Sequence, residues 1–347
     1  MVDVPLINKA ALALLVTFAF GLAAQGVVLA QQGPQLTSIY RSKLPSSPAD
    51  GAWKDVPLAE VPLTPQMAIK PTLLAATVSS VSVRSVNDGA KVAFLLEWAD
   101  SSRDVSASRQ DLFRDAAAIE FPVGTDIPAI CMGVRGQMVN IWHWKADWQE
   151  DIVKGYQDVV DTYPNFYKDA YPGVNILTAT PPFRFPADFD TPAARPFMIG
   201  WQAGNPMSQP QRTSPVEDTN AVGYSTITHK VKQQVDGVGT WDQGVWRVMF
   251  VRALQVEDVD AASITPGKEM PLAFAVWNGA NQEVGARKQT STFLNVTVEP
   301  AGENAAGLGA EPWVFIVGLA LLLAAGYGAF RLVDRMERVS TGTGHEQ

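Results

Sequence analysis

Through the middle of the chain, apolar and polar positions alternate with the two-residue period of a half-buried β-strand. Residues 91–98 put Val92, Phe94, Leu96 and Trp98 on one face. Residues 244–252 set Trp246, Val248 and Phe250 against Arg247, Met249 and Val251. From Val139 onward, Val139, Ile141 and His143 fall on one side, and Asn140, Trp142 and Trp144 on the other. Residues 272–277 run into Asn278-Gly279, a turn dipeptide, and 291–298 read as a last strand. Helical periodicity is weak and confined to short stretches near 108–115 and 150–161. Gly and Pro recur between the alternating segments. This pattern predicts a mainly β domain over residues 36–300, built as an antiparallel β-sandwich.

Both ends depart from the pattern. Residues 10–30 are an apolar run after Lys9, closing on Val28-Leu29-Ala30 and then polar Gln31-Gln32. We read 1–30 as a secretory signal peptide, with an uncleaved N-terminal anchor as the alternative. Residues 312–330 carry no charge and are long enough to cross a bilayer. Trp313 and Tyr327 stand at the ends of that run, and Arg331, Arg335 and Arg338 follow it. Positive residues favour the cytoplasmic side, so the predicted order is a periplasmic globular domain, a linker over 301–311, a single transmembrane helix over 312–330 and a cytoplasmic tail over 331–347. Between 145 and 220 the chain turns irregular and rich in Pro, Tyr, Phe and Asp, as in Tyr163-Pro164-Asn165-Phe166-Tyr167. A loop that long in a compact domain usually covers a ligand or docks a partner.

Composition removes several classes of function. A net charge of −8 leaves no basic face for nucleic acid. A single cysteine excludes an intrachain disulfide, a CxxC metal site and c-type haem attachment. The three histidines, at 143, 229 and 345, are too scattered for a His-based zinc site. No Gly-x-Ser-x-Gly elbow appears, and Cys131 has no His/Asn companion at a family spacing. Asp188 and Asp190 lack the further ligands of a calcium loop, and no Gly-rich phosphate cradle follows a strand.

What survives is soft-donor chemistry. Met132 offers a thioether just before the aromatic stretch 139–148, where a flat cofactor could sit. A second candidate stretch, 224–233, carries His229, Lys230 and Lys232. Alternation puts both lysines on one face with Thr226 and Thr228, and His229 on the other. An inward-facing lysine there could reach a metal as an amine.

Several segments, in chain order, carry a family resemblance: Leu96-Glu97-Trp98-Ala99-Asp100; Met132-Gly133 with Val139-Asn140-Ile141-Trp142-His143-Trp144; Gly204-Asn205-Pro206-Met207-Ser208; and Gly223-Tyr224-Ser225-Thr226-Ile227-Thr228. They continue with Gly237-Val238-Gly239-Thr240-Trp241, Trp246-Arg247-Val248, and Ala275-Val276-Trp277-Asn278-Gly279-Ala280-Asn281 with Lys288. The set resembles the haem-binding γ subunit shared by ethylbenzene dehydrogenase, dimethylsulfide dehydrogenase, and selenate and chlorate reductases. Similar domains occur in γ subunits of nitrite oxidoreductases and in some archaeal b-type cytochromes.

The resemblance implies a β-sandwich holding one haem b with axial Met and Lys. Met132 matches the methionine. For the lysine the choice is Lys232, just before Gln233, or Lys230, with His229 disfavoured by alternation. Trp142 and Trp144 are expected to restrict water at the haem edge, and Arg135 is a candidate partner for a propionate. The C-terminal anchor departs from the soluble periplasmic members.

The resemblance further implies a non-catalytic cytochrome b subunit of a molybdoenzyme complex. It would relay electrons between an iron–sulfur subunit and an external or membrane carrier, such as a cytochrome c or a quinone-linked protein. The molybdopterin catalytic subunit and the iron–sulfur subunit would be partner chains, because one cysteine cannot supply either set of ligands. The competing readings are a sandwich that binds carbohydrate through its ten tryptophans, and a self-standing cytochrome.

Overall fold

The structure is a computed structural model that describes residues 35–124, 126–128, 132–157, 159–163, 165, 199–209 and 212–301. Strands β1 (Leu36–Tyr40), β2 (Ala59–Pro62), β3 (Thr64–Pro65), β4 (Ser80–Asn87) and β5 (Lys91–Ala99) open the domain. They are followed by β6 (Ala116–Pro122), β7 (Val139–Lys145), β8 (Val216–Ala221) and β9 (Thr228–His229). The last are β10 (Val235–Asp242), β11 (Val245–Ala253), β12 (Glu269–Trp277), β13 (Gln289–Thr290) and β14 (Leu294–Val298). Among the described residues these 14 strands form one hydrogen-bonded sheet in the order β10-β11-β5-β4-β1-β14-β12-β6-β7-β8-β9. β2 pairs with β4, and β13 joins β12 to β3.

One strand turns this continuous sheet into two layers. The first part of β12, Glu269 to Leu272, pairs with β14, whereas Ala273 to Trp277 pair with β6. The halves on either side of β12 close against each other. Phe94 of β5 lies 6.0 Å from Trp142 of β7 and 6.2 Å from Phe121 of β6, between ring centroids. Trp144 of β7 meets Trp246 of β11 at 4.9 Å and Trp98 of β5 at 6.4 Å. Burying such large rings is the principal drive for the closure, with edge-to-face contacts adding to it. Trp144 needs a glycine against its ring, since a Cβ on Gly239 of β10 would stand 2.2 Å from it.

The mainly β expectation is met, and the alternation in 91–98, 139–145, 244–252 and 272–277 falls on observed strands. Strand pairing is not wholly antiparallel, because β1 runs parallel to both β4 and β14. The stretch 108–115 forms turns in place of a helix. Helix α1 (Ala146–Lys154) starts directly at the end of β7, four residues ahead of the expected start. The segment 224–233, expected as one long strand, contributes only the two residues of β9. No helix among the described residues is long and apolar enough to cross a membrane. The expected signal peptide (1–30) and transmembrane helix (312–330) lie outside the described residues, as do Cys131 and most of the long loop.

Candidate functional site

Strands β12, β6 and β7 present a second face, away from the main core, and on it the register builds three rows. Ala275, Ala118 and His143 are consecutive cross-strand partners. One step along lie Ala273, Glu120 and Ile141, and one step the other way Trp277, Ala116 and Lys145. Small side chains in the middle rows leave a cavity of about 250 Å³. Its floor includes Ala118, Ile141, Ala273 and Ala275; Glu120 lines one end and Trp277 the other. Loops close over it with Met132, Tyr224, Ile227 and Lys288.

Met132 is held by its backbone. Its N–H points at the Glu120 carboxylate, 3.0 and 3.1 Å from the two oxygens, and its carbonyl accepts the Gly223 N–H at 2.8 Å. Its φ of 72° lies in the left-handed region that side chains disfavour. Gly133 follows at φ 71°, and a Cβ there would meet the carbonyl oxygens of Gln137 at 2.6 Å and Ala221 at 2.9 Å. Only glycine fits. The chain then reverses through mutual hydrogen bonds between Val134 and Gln137 and enters β7. The Met132 side chain packs against Ala118, Ile141 and their apolar neighbours on this face.

Lys288 also lines the cavity. It is buried, just before β13, and its Nζ sits 5.0 Å from the ring centroid of Trp277. Among the described residues Nζ has no hydrogen bond or ion pair. Trp277 is itself fixed by Nε1 donating to the Gly285 carbonyl at 3.0 Å and by stacking with His143 at 4.8 Å. A thioether and an amine therefore line one largely apolar cavity.

The charges around it are arranged to keep its edges neutral or paired. Burial, with the cations Lys145, Arg114 and Lys288 nearby, holds the His143 imidazole well below its usual range, so it is uncharged. Burial pushes the Glu120 carboxyl up, opposed by the Met132 N–H and the charge of Lys288. Beyond His143, Lys145 is ion-paired with Glu217, which also bonds His229 Nδ1 at 2.8 Å. Burial pushes Lys145 down to about 8 against the pull of Glu217.

Of the residues singled out by sequence, Met132 lines the cavity and the two lysines do not. Lys230 is buried between Asp218 at 3.2 Å and Asp258 at 3.0 Å, a clamp that ties β9 to the loop after β11. Lys232 is exposed and donates to the Glu257 carbonyl at 3.2 Å. His229 is occupied with Glu217. Trp142 and Trp144 point into the main core, so the water-excluding aromatic at the cavity is Trp277 instead. Arg135 is exposed and away from the lining. Lys288 was visible only as part of a matched segment, with no alternating context to give it a face.

The donor set suits a haem and not a bare ion. No group of three His, Cys, Asp or Glu side chains among the described residues can hold a metal ion. Met132 and Lys288 would supply a thioether and an amine to an iron whose other ligands come from a macrocycle. Among the described residues, Trp53, Trp98, Trp142, Trp144, Trp148, Trp246 and Trp277 are buried and offer no exposed aromatic platform.

The family model described as ethylbenzene dehydrogenase matches residues 50–289, a span that includes both Met132 and Lys288. A protein described as a respiratory nitrate reductase heme subunit of Haloferax mediterranei is 23% identical over 268 residues, 77% of this chain and 73% of that one. The chlorate reductase subunit gamma of Ideonella dechloratans is 24% identical over 264 residues, 75% of this chain and 82% of that one. Among solved structures, a family 9 carbohydrate-binding module of Caldicellulosiruptor kristjanssonii with glucose superposes at a TM-score of 0.35 and 10% identity. It covers 79% of this chain and 100% of that one, a likeness too low to carry an argument.

Proposed function

This chain belongs to the ethylbenzene dehydrogenase family, and from that premise we propose that it is the cytochrome b subunit of a molybdenum oxidoreductase complex. The observation that carries the reading is the meeting of Met132 and Lys288 in one apolar cavity inside the matched span. We assign the axial amine to Lys288, in place of Lys232 or Lys230, and the thioether to Met132. Haem b bound there supplies a one-electron carrier. Met132 contributes a soft sulfur that favours the reduced metal and raises its potential. Lys288 would ligate through its neutral amine. Held by these two side chains, the haem would supply electron transfer and leave no site for a substrate.

The relatives whose names include a heme subunit and a chlorate reductase gamma subunit support the assembly part of the proposal. A molybdopterin catalytic subunit and an iron–sulfur subunit would be partner chains, with a cytochrome c or a quinone-linked carrier at the other end of the relay. The apolar run 312–330 would tether the domain on the periplasmic face, with the tail in the cytoplasm.

The first test is the absorption spectrum of the purified intact full chain, followed by haem extraction to identify and count the haem. We expect one haem b per chain in a six-coordinate low-spin state. Met132→Ala and Lys288→Ala should each give a five-coordinate or high-spin species, and Lys230→Ala and Lys232→Ala should leave the spectrum unchanged. A chain with no affinity for haem would end the proposal. Loss of the low-spin spectrum in Lys230→Ala or Lys232→Ala alone, with Lys288→Ala unaffected, would return the ligand to that strand.

A further inference from the structure

We infer that Glu120 is the positioning residue for the axial sulfur: its buried carboxylate holds the Met132 backbone in the one conformation that aims the thioether into the cavity. The inference rests on the haem reading of the cavity. It begins with a conformation that does not hold itself. At φ 72° a methionine pays a steric penalty, and the chain keeps it there only if its surroundings fix it. Two bonds do so. The carbonyl is taken by Gly223 at 2.8 Å, and the N–H lies 3.0 and 3.1 Å from the two Glu120 oxygens. Gly133 cannot yield, because carbonyl oxygens occupy the space around it.

Glu120 is rigid in turn. It sits inside β6, with both neighbouring strands in register at Ala273 and Ile141, and it is only 7% exposed. A buried carboxylate without a firm partner is costly, and the hydrogen-bond donor it uses here is the Met132 backbone amide. Strand β6 thus carries the coordinates of the sulfur, in the way that groups behind a metal ligand usually fix its direction. The same carboxylate lines the cavity.

The test uses the haem-loaded full chain and reads coordination directly. In the ferric protein the near-infrared sulfur-to-iron charge-transfer band reports Met132; in the ferrous protein carbon monoxide binding reports an opened axial position. Glu120→Leu keeps the bulk and removes the acceptor. We expect it to retain haem through Lys288, to lose most of the band and to bind carbon monoxide, as Met132→Ala does. Glu120→Gln keeps an acceptor oxygen and should restore both signatures. A Leu variant with the wild-type band and no carbon monoxide binding overturns the inference, and so does a Gln variant that behaves like the Leu one. If the Leu variant does not fold, hydrogen exchange in the wild-type holoprotein decides: slow exchange of the Met132 amide supports the bond, and exchange at the rate of an open loop overturns it. A wild-type chain without haem would instead defeat the functional reading, so the two failures are distinguishable.

Discussion

The most demanding residue in the molecule is Gly133. It combines a φ of 71° with two carbonyl oxygens under 3 Å from where a side chain would begin. Gly133→Ala is expected to cost more than about 1 kcal/mol, because alanine must be forced into a left-handed conformation and the backbone has to move. The movement is transmitted to Met132, so thermal unfolding and the low-spin spectrum should both change; a variant with unaltered spectrum would separate the turn from the sulfur. Met132 was legible as a cavity-lining residue because it stands next to a clear alternating strand. The cavity-lining Lys288 was not. Lys230 and Lys232 were given a face by assuming a strand from 224 to 233, yet β9 is two residues long and alternation has no meaning over that length. Lys230 then finds its charge partners in Asp218 and Asp258, which are 12 and 28 positions away and invisible to any local pattern.

Strand β7 shows how two functions share one stretch. Trp142 and Trp144 face the core, while Ile141 and His143 face the cavity, so damage to one side should leave the other chemically intact. Trp144→Ala is expected to lower stability by about 3–5 kcal/mol, read from the denaturant midpoint, because it empties the space against Gly239, Trp98 and Trp246. Haem stoichiometry at low denaturant should stay at the wild-type value; a parallel loss would show that the faces are coupled. β11 was readable for this reason, with half-buried Val245, Arg247 and Val251 on one face and buried Trp246, Val248 and Phe250 on the other, whereas β5 is buried on both faces. The pairing of β1 was not readable, since its partners are near residues 85 and 296 and parallel pairing leaves no turn signal. The helix expected over 108–115 fails for another long-range reason. Asp115 at its end is taken up by the N–H groups of Asp104 and Gly279 and by Trp246 Nε1.

For the molecule as a whole, Asp115 is a joint between the two layers, and it makes stability depend on pH. Burial and the nearby Asp100 carboxyl push Asp115 up to about 7 from its ordinary 3.8, so the pair holds a proton in the folded state that the unfolded chain has already lost. Between those values the native state binds more protons, and this group's contribution falls as pH rises. His143 works in the opposite direction below its ordinary 6.5, so the clean comparison is with Asp115→Asn. The variant should be less stable than wild type at pH 5, where it loses an acceptor, and should gain on wild type by up to a few kcal/mol by pH 8. Denaturant unfolding at the two pH values checks it, and a gap that widens with pH would refute it. The whole-molecule closure also has a mechanical consequence. β1 begins at residue 36 and its parallel neighbour β14 ends at residue 298, so tension between the two ends of the domain would shear these strands along their length and load their hydrogen bonds together. β14 hands that load to β12, the strand whose other half is the cavity floor. A pull between residues 36 and 298 would thus be felt as a lengthwise stress under the cavity floor.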